Sequence, residues 1–501
     1  MTNQDMPDIA MLVEGTYPYV RGGVSSWIHQ VITGLPEFSF SLIFLGSTPS
    51  AYKEMKYKMP DNVVRIDECF LMDQESTLAP AECRGDPEVF RALEQLHRVF
   101  KKGTLAEDGE VVDANIAHLL DKKKLGARDF FYSRESWEFI QTQYFQQCPD
   151  TPFINYFWSI RSIHGPIFKI AEIAQKVPPA KVFHAISTGY AGFLGALLQH
   201  RTGHPLILTE HGIYTKERRI DIQTMNLKSG EAADIPNGIG GLAYHDNLWI
   251  RFFEALGRFT YRASDPIISL YGRNRQRQIT DGAEADRTQI IPNGVDLDGL
   301  APLRAKRPPS PPPIIGLLGR IVSIKDVKTF IRAMSTVVNR LPDAQAWLIG
   351  PTEEEPGYVE ECKSLIHDLG LDQKILFLGF QDPKVILPQL GLLILSSISE
   401  AFPLVLLEAF ATGLPAVTTD VGACREIIEG RDEADQALGK AGRVVAFADP
   451  EALADAAVEL LADEEAWTAA QRAAIARVEA YYHQDKILGQ YRDLYRNALE
   501  S

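Results

Sequence analysis

The sequence predicts an α/β protein made of two doubly wound, Rossmann-like parallel-sheet domains, with a helical insertion in the first. Three observations carry this prediction. The chain has 501 residues, more than one hydrophobic core normally serves. Short apolar runs alternate with stretches of helical periodicity near both ends. Five prolines between Pro308 and Pro313 impose one stiff, extended connection that divides the alternation in two.

In chain order, Ile9 to Val13 is an apolar run typical of a buried strand. Gly22 and Gly23 follow, ahead of Val24, Trp27, Ile28, Val31 and Ile32 at helical spacing. Glycines at such a junction let backbone amides approach a phosphate or substrate, although a tight turn alone needs the same residues. Phe40 to Leu45 gives a second strand. From Ala51 to about Cys148 (insertion about 51–150) the pattern is helical, as in PEVFRALEQLHRVFKKG and RESWEFIQTQYFQQ. Within it Lys122 to Lys124 reads as a solvated helix end.

Alternation resumes with a strand at Lys181 to Ala185, a small-residue turn from Ser187 to Gly192 and a helix. Leu206 to Thr209 is then a strand running into Glu210, His211 and Gly212. In an open α/β sheet, ligands bind beyond the carboxyl ends of the strands, a condition met by His184, Glu210 and His211. A core role suits His184. Tyr214, Lys216, Glu217 and Arg218 make the continuation from His211 read as an active-site loop. Residues 221–245 read as a mobile excursion, followed by a helix, a strand at DPIISLY and a basic helix.

Beyond the Pro292-Asn293-Gly294 turn and the proline run, the second domain alternates strictly from IIGLLG to REIIE, and long helices close the chain. Its most informative stretch is SISEAFPLVLLEAFATGLPAV, Ser397 to Val417. Proline is tolerated in the first turn of a helix, so Pro403 puts Glu400 in a loop and Glu408 inside a helix. The amides of Phe402, Pro403's neighbours and Leu404 form a helix start suited to phosphate. A carboxylate one to two turns in can accept from sugar or ribose hydroxyls.

The formal charge of −15, from 51 basic and 66 acidic residues, argues against a general nucleic-acid binder or a polybasic membrane-surface protein. It permits a pocket-sized anion site. Five scattered cysteines lack metal-ligand spacing, so neither a disulfide framework nor a zinc site is expected. No apolar run reaches about 18 residues and the amino terminus has no basic n-region; a cytosolic location is expected.

Gly22-Gly23, His211-Gly212, Pro292-Asn293-Gly294, Gly319-Arg320 with Lys325, and Glu400 with Glu408 occur in an order that resembles retaining GT-B glycosyltransferases of the glycogen-synthase-like GT4 group. VEGTYPYVRGGVSSWIHQVI and TEHGIYTKERRIDI resemble more narrowly the cytosolic glycosyltransferases of bacterial Pel exopolysaccharide biosynthesis. The resemblance implies a GT-B fold with two domains facing a cleft. It sets an acceptor-side domain at 1–305, a nucleotide-sugar domain at 306–475 and a C-terminal helix, 476–501, returning to the first domain.

It also implies roles. Gly319, Arg320 and Lys325 would face the donor diphosphate, where cations stabilise a departing nucleoside diphosphate without a metal. Lys325-Asp326 departs from the family's Lys-Gly. Glu408 would bind ribose and Glu400 the donor sugar. Phe402, Pro403 and Leu404 would offer backbone contacts, and His211 would reach the transferred sugar. Phe380 would lie beside the base or pack as an ordinary aromatic. The implied reaction moves a hexose, glucose or an N-acetylhexosamine, from a UDP-sugar to a growing polysaccharide with retention, without cofactor or metal. The implied partners are the UDP-sugar, the acceptor and an inner-membrane synthase complex, with no nucleic acid. A nucleotide-sugar epimerase of the same fold and a non-catalytic UDP-binding subunit remain the alternatives. A nicotinamide dehydrogenase lacks its full glycine fingerprint here.

Overall fold

A computed structural model describes residues 6–72, 83–102, 109–121, 126–147, 152–219 and 239–500. The chain divides into two compact units. One comprises Met1–Ser269, Asn274–Gln289 and Arg492–Ser501; the other comprises Leu270–Arg273 and Ile290–Tyr491. The change of unit falls at Ile290, ahead of the proline run, which lies inside the second unit.

The first unit is built on β1 (Ile9–Glu14), β2 (Phe40–Gly46), β3 (Val63–Phe70), β4 (Val182–Ala185), β5 (Leu206–Glu210), β6 (Ile267–Ser269) and β7 (Thr288–Ile290). Their order in the sheet is β3-β2-β1-β4-β5-β6-β7. Pairing is parallel from β3 to β6. Ile9 to Val13 expose nothing, as a strand covered on both faces requires.

The predicted insertion starts too early in the sequence reading. Val63–Phe70 is the edge strand of the sheet, paired along its length with β2. Its Arg65, Asp67 and Glu68 break the apolar run, and Val64 is 60% exposed. An edge strand with one solvated side carries no buried-strand pattern, which is why it escaped notice. The helical part begins at Pro87–Lys102 and ends at Phe153–Lys176, where Val89, Phe90, Phe130 and Phe168 join the core of the unit. The proposed mobile excursion (221–238 of it), Lys122 to Lys124 and Cys148 lie outside the described residues.

The second unit holds β8 (Ile314–Leu318), β9 (Gln345–Ile349), β10 (Ile375–Gly379), β11 (Leu392–Leu395), β12 (Ala416–Thr419) and β13 (Gly442–Val445). The order β10-β9-β8-β11-β12-β13 is fully parallel. Apolar clusters cover both faces of this sheet, one centred on Leu393, Leu395, Leu406 and Phe410 and the other on Ile315, Leu317, Phe330 and Ile394. Each fully buried Leu, Ile or Phe contributes about 1.5–3 kcal/mol. Both sheets are doubly wound. The winding direction reverses between β1 and β4 in the first unit and between β8 and β11 in the second. These are the two switch points at which such sheets hold ligands.

Candidate functional site

The second switch point is assembled from the loops after β8 and β11. The loop after β8 runs through Gly319 and Arg320 to a short turn, Ser323–Lys325. The loop after β11 runs from Ser396 to Pro403, ahead of the Leu404–Ala411 helix. Each loop holds the other. Ile398 donates its amide to the Ile324 carbonyl at 2.9 Å, and Ser396 Oγ donates to the Lys325 carbonyl at 2.9 Å. Thr419 Oγ1, at the end of β12, donates to the Ser397 carbonyl at 2.6 Å.

This clamp brings two of the predicted residues into contact. Lys325 Nζ pairs with Glu400 Oε1, an oxygen that also accepts from Ser397 Oγ at 2.6 Å. Their side chains keep only 18% and 13% of their surface exposed. The departure at Asp326 resolves physically. Asp326 has φ +45°, the left-handed conformation that glycine takes at no cost. Its carboxylate then caps the Val327–Arg340 helix by accepting from the Thr329 amide at 3.3 Å. Asp326 thus takes a backbone conformation that glycine favours and adds a cap to the helix.

Arg320 is exposed, and its Nη1 donates to both carboxylate oxygens of Glu354, at 2.6 and 2.7 Å. The neighbouring Glu355 accepts from the Ser323 amide at 3.0 Å and from its hydroxyl at 3.2 Å. Sequence reasoning missed this acidic bracket, although Glu353-Glu354-Glu355 directly after a strand end is a visible charge run. Gly319 donates its amide to the Ile349 carbonyl at 2.8 Å. Gly350, at φ +150°, has no room for a side chain: a Cβ would stand 1.9 Å from the Gly319 carbonyl oxygen.

The Leu404–Ala411 helix starts with Pro403 at its N-cap, and no side chain caps it. Its start is therefore not filled by a side chain, as an anion site requires, while the Leu406 amide bonds the Pro403 carbonyl at 3.1 Å. The Phe402 ring is 7% exposed and packs 5.8 Å from Tyr482, so only its backbone is available. Leu404 opens the helix and Glu408 sits one turn inside. Burial raises the Glu408 carboxyl from 4.5 to about 7. Among the described residues no cation or hydrogen-bond donor offsets that burial. Phe380, just past β10, is 75% exposed, with a ring free to stack.

His211, Gly22 and Gly23 belong to the first unit. His211 follows β5, is 6% exposed, and its ring lies 4.5 Å from Trp27, edge to face. Trp27 stands on the Gly23–Gly34 helix that Gly22 begins. Burial lowers the His211 pKa to about 3, so the ring is neutral at pH 7, and Nε2 has no hydrogen-bond partner among the described residues. Gly22 and Gly23 have open space where a Cβ would stand, so no packing among the described residues demands glycine there.

His184 is a core residue. One ring nitrogen contacts the Tyr495 hydroxyl at 2.7 Å and the other Thr209 Oγ1 at 2.8 Å. Glu210 is also internal: Thr188, Tyr261 and Gln278 side chains and the Tyr214 amide all donate to it. Among the described residues no three His, Cys, Asp or Glu side chains converge on a metal-sized space. No described helix is long and apolar enough to cross a membrane.

With this geometry in place, comparison with known proteins separates the two units. A family model described as a domain of unknown function, DUF3492, matches residues 7–286, more than half of the chain. The chain belongs to the DUF3492 family. In this DUF3492 protein, residues 312–463 match the glycosyl transferases group 1 model, so the second unit carries a group 1 glycosyltransferase domain.

Among curated relatives, the N-acetyl-alpha-D-glucosaminyl L-malate synthase of Bacillus anthracis is 32% identical over 177 residues, covering 35% of this chain and 43% of the relative. The D-inositol 3-phosphate glycosyltransferase of Corynebacterium urealyticum is 29% identical, covering 42% of this chain and 51% of the relative. The DUF3492 chain thus spans about half the length of these relatives. Its fold matches that of Anabaena HepE, solved in complex with UDP, with a TM-score of 0.60, 14% identity and coverage of 98% and 99% of the two chains. The sucrose-phosphate synthase of Thermosynechococcus elongatus matches at a TM-score of 0.57 and 15% identity, covering 98% of each chain. The fold is GT-B: two Rossmann-like parallel-sheet units.

Proposed function

We propose that the protein is a retaining glycosyltransferase that moves a hexose, glucose or an N-acetylhexosamine, from a UDP-sugar to a growing exopolysaccharide of the Pel type. The single observation that carries the reading is the second switch point: Lys325 and Glu400 in contact beside a helix start that no side chain caps, with Glu408 half-buried one turn in and unpaired among the described residues. A diphosphate is the ligand that suits open helix amides and a lysine together. A ribose edge supplies the hydroxyl donors that Glu408 lacks.

In this reading Arg320 and Lys325 hold the diphosphate and take up charge as the sugar bond breaks. Glu400 exchanges its lysine for donor-sugar hydroxyls, and Glu408 holds the ribose. Phe380 lies beside the base. Gly319 and the amides of Phe402 and Leu404, on either side of Pro403, line the phosphates. In the first unit, Gly22 and Gly23 offer backbone contacts and neutral His211 offers a nitrogen to a sugar hydroxyl. No metal is required for any of these roles. The protein acts in the cytoplasm, recruited by protein partners to a membrane-bound polysaccharide synthase. The UDP in the HepE complex and the acidic net charge both support a nucleotide-sugar enzyme over a nucleic-acid binder.

Incubating the protein with UDP-glucose, UDP-N-acetylglucosamine and UDP-N-acetylgalactosamine, with and without oligosaccharide acceptors, tests the proposal. Acceptor-dependent release of UDP is expected with one donor. Epimerised sugar released without acceptor would replace transfer by epimerisation, and UDP binding with no turnover of any donor would leave a binding subunit.

A further inference from the structure

The first unit's switch point lies between β1 and β4, and the helix that follows β4, Tyr190–Thr202, is the topological counterpart of Leu404–Ala411. Its N-terminus is filled from inside. Glu14, the last residue of β1, accepts from the Ala191 amide through Oε2 at 3.2 Å and from the Tyr214 hydroxyl through Oε1 at 2.9 Å. The Tyr190 amide also donates to it. The N-cap itself, Gly189, supplies no side chain, and a Cβ there would come within 2.8 Å of Glu14 Oε2 and 2.5 Å of the Tyr214 ring. The chain has been kept bare at Gly189 so that a carboxylate from the neighbouring strand can reach the helix start.

Among the described residues, Glu14, Glu210, Arg218 and Glu217, whose carboxylate lies against Gly212, are charged groups near this point. Burial pushes the Glu14 carboxyl up, opposed by the Ala191 amide, the Tyr214 hydroxyl, Arg218, which lies over the Tyr214 ring at 5.0 Å, and the Tyr190 amide. The Tyr214 amide donates to Glu210. The Ala191 and Tyr190 amides, which would welcome an external anion, are already used by Glu14. Polar groups of a different kind remain open. Thr16 Oγ1, Ser187 Oγ and His211 Nε2 follow β1, β4 and β5, three adjacent strands, and each is buried without a hydrogen-bond partner among the described residues. Buried polar atoms in that state call for a ligand or water. Two hydroxyls and a neutral imidazole match sugar hydroxyls and offer no countercharge to a phosphate.

We infer that Glu14 is a specificity-determining residue that closes the first unit to phosphorylated or carboxylated acceptors, so that this unit takes an uncharged, hydroxyl-bearing sugar. The inference rests on the glycosyltransferase reading above and adds the acceptor's charge class to it. The second unit leaves its helix start open and binds the anion; the first fills its own and excludes one. Specificity here comes from an occupied site as much as from a favourable one.

The test is a titration of the full chain, first saturated with UDP, with glucose and with glucose 6-phosphate, followed by NMR. Glucose is expected to bind the parent protein at least about tenfold more tightly than glucose 6-phosphate, the size set by helix-end and charged hydrogen-bond energies. Glu14→Ala frees the amides and is expected to shrink that ratio about tenfold. Glu14→Gln keeps a capping oxygen without the charge and shrinks it less. Equal binding of the two sugars by the parent overturns the inference, as does an unchanged ratio in Glu14→Ala. Should Glu14→Ala not fold, an unchanged ratio in Glu14→Gln overturns it equally. Failure of UDP to bind in the first step removes the glycosyltransferase reading instead, and is seen separately.

Discussion

Glu408→Gln isolates the cost of keeping an unpaired carboxylate inside the second unit. Burial raises the Glu408 pKa from 4.5 to about 7. The unfolded chain ionises this group near 4.5 and the folded chain near 7, so between those values the folded state binds more protons. Stability contributed by the neutral form is present below pH 4.5 and is lost as pH rises through 7. Each pKa unit is worth 1.36 kcal/mol, and the group retains some access to solvent, so the loss is about 2–3 kcal/mol by pH 8. Glutamine has the same shape and no charge. Glu408→Gln is therefore expected to match the parent in stability at pH 4.5 and to exceed it by about 2–3 kcal/mol at pH 8. For a unit of this size that raises the midpoint of its thermal transition by about 4–12 °C. Scanning calorimetry of both proteins at the two pH values reads the effect. UDP affinity should fall in the same variant, the usual exchange of stability for function. A parent and variant with the same pH dependence would refute the reasoning, because Glu408 would then be ionised in the fold without cost.

Gly350→Ala places a methyl group against the Gly319 carbonyl and forces the loop after β8 to move; loss of at least about tenfold in UDP affinity is expected, together with a lowered melting temperature, by fluorescence titration and melting. Asp326→Ala loses the cap of the Val327–Arg340 helix and leaves alanine in the left-handed region, which together cost about 1–3 kcal/mol in urea unfolding. Asp326→Gly loses the cap alone and should cost less than Asp326→Ala. His211 has a pKa of about 3, so it stays neutral across the working range, and a fall in turnover between pH 8 and pH 5 should persist unchanged in shape in His211→Gln; a vanished limb would assign that limb to His211.

What the sequence displayed best was whatever depends on burial from both sides. The runs that became β1, β2, β8 and β11 are continuous apolar segments, and each is a central strand. Val63–Phe70 carries three charges because one edge of it meets solvent, and it stayed hidden. Pro403 located Glu400 and Glu408 on either side of a helix start because proline fixes the local backbone. The Glu400–Lys325 contact spans 75 positions, and without the family resemblance nothing local in either segment announces it. Glu354 and Glu14 were missed for a related reason. Their meaning comes from what lies opposite, a guanidinium across two strand ends and a helix start one strand over, and those neighbours are set by topology. Asp326 shows the reverse case, where an unexpected residue was visible in the sequence and its φ and its cap explain why the loop tolerates it.

In the proposed function the loops after β8 and β11 hold a nucleoside diphosphate. Calorimetric titration of the purified protein with UDP, alongside Lys325→Ala and the control Lys363→Ala, tests it most directly. Lys363 is exposed on the Pro356–Asp368 helix and pairs locally with Glu360, at 2.7 Å. Saturable binding of UDP is expected, unchanged in Lys363→Ala and weakened at least about tenfold in Lys325→Ala, as loss of a charge-assisted contact requires. Absence of binding by UDP, ADP and GDP alike, or equal affinities in the two variants, would contradict it.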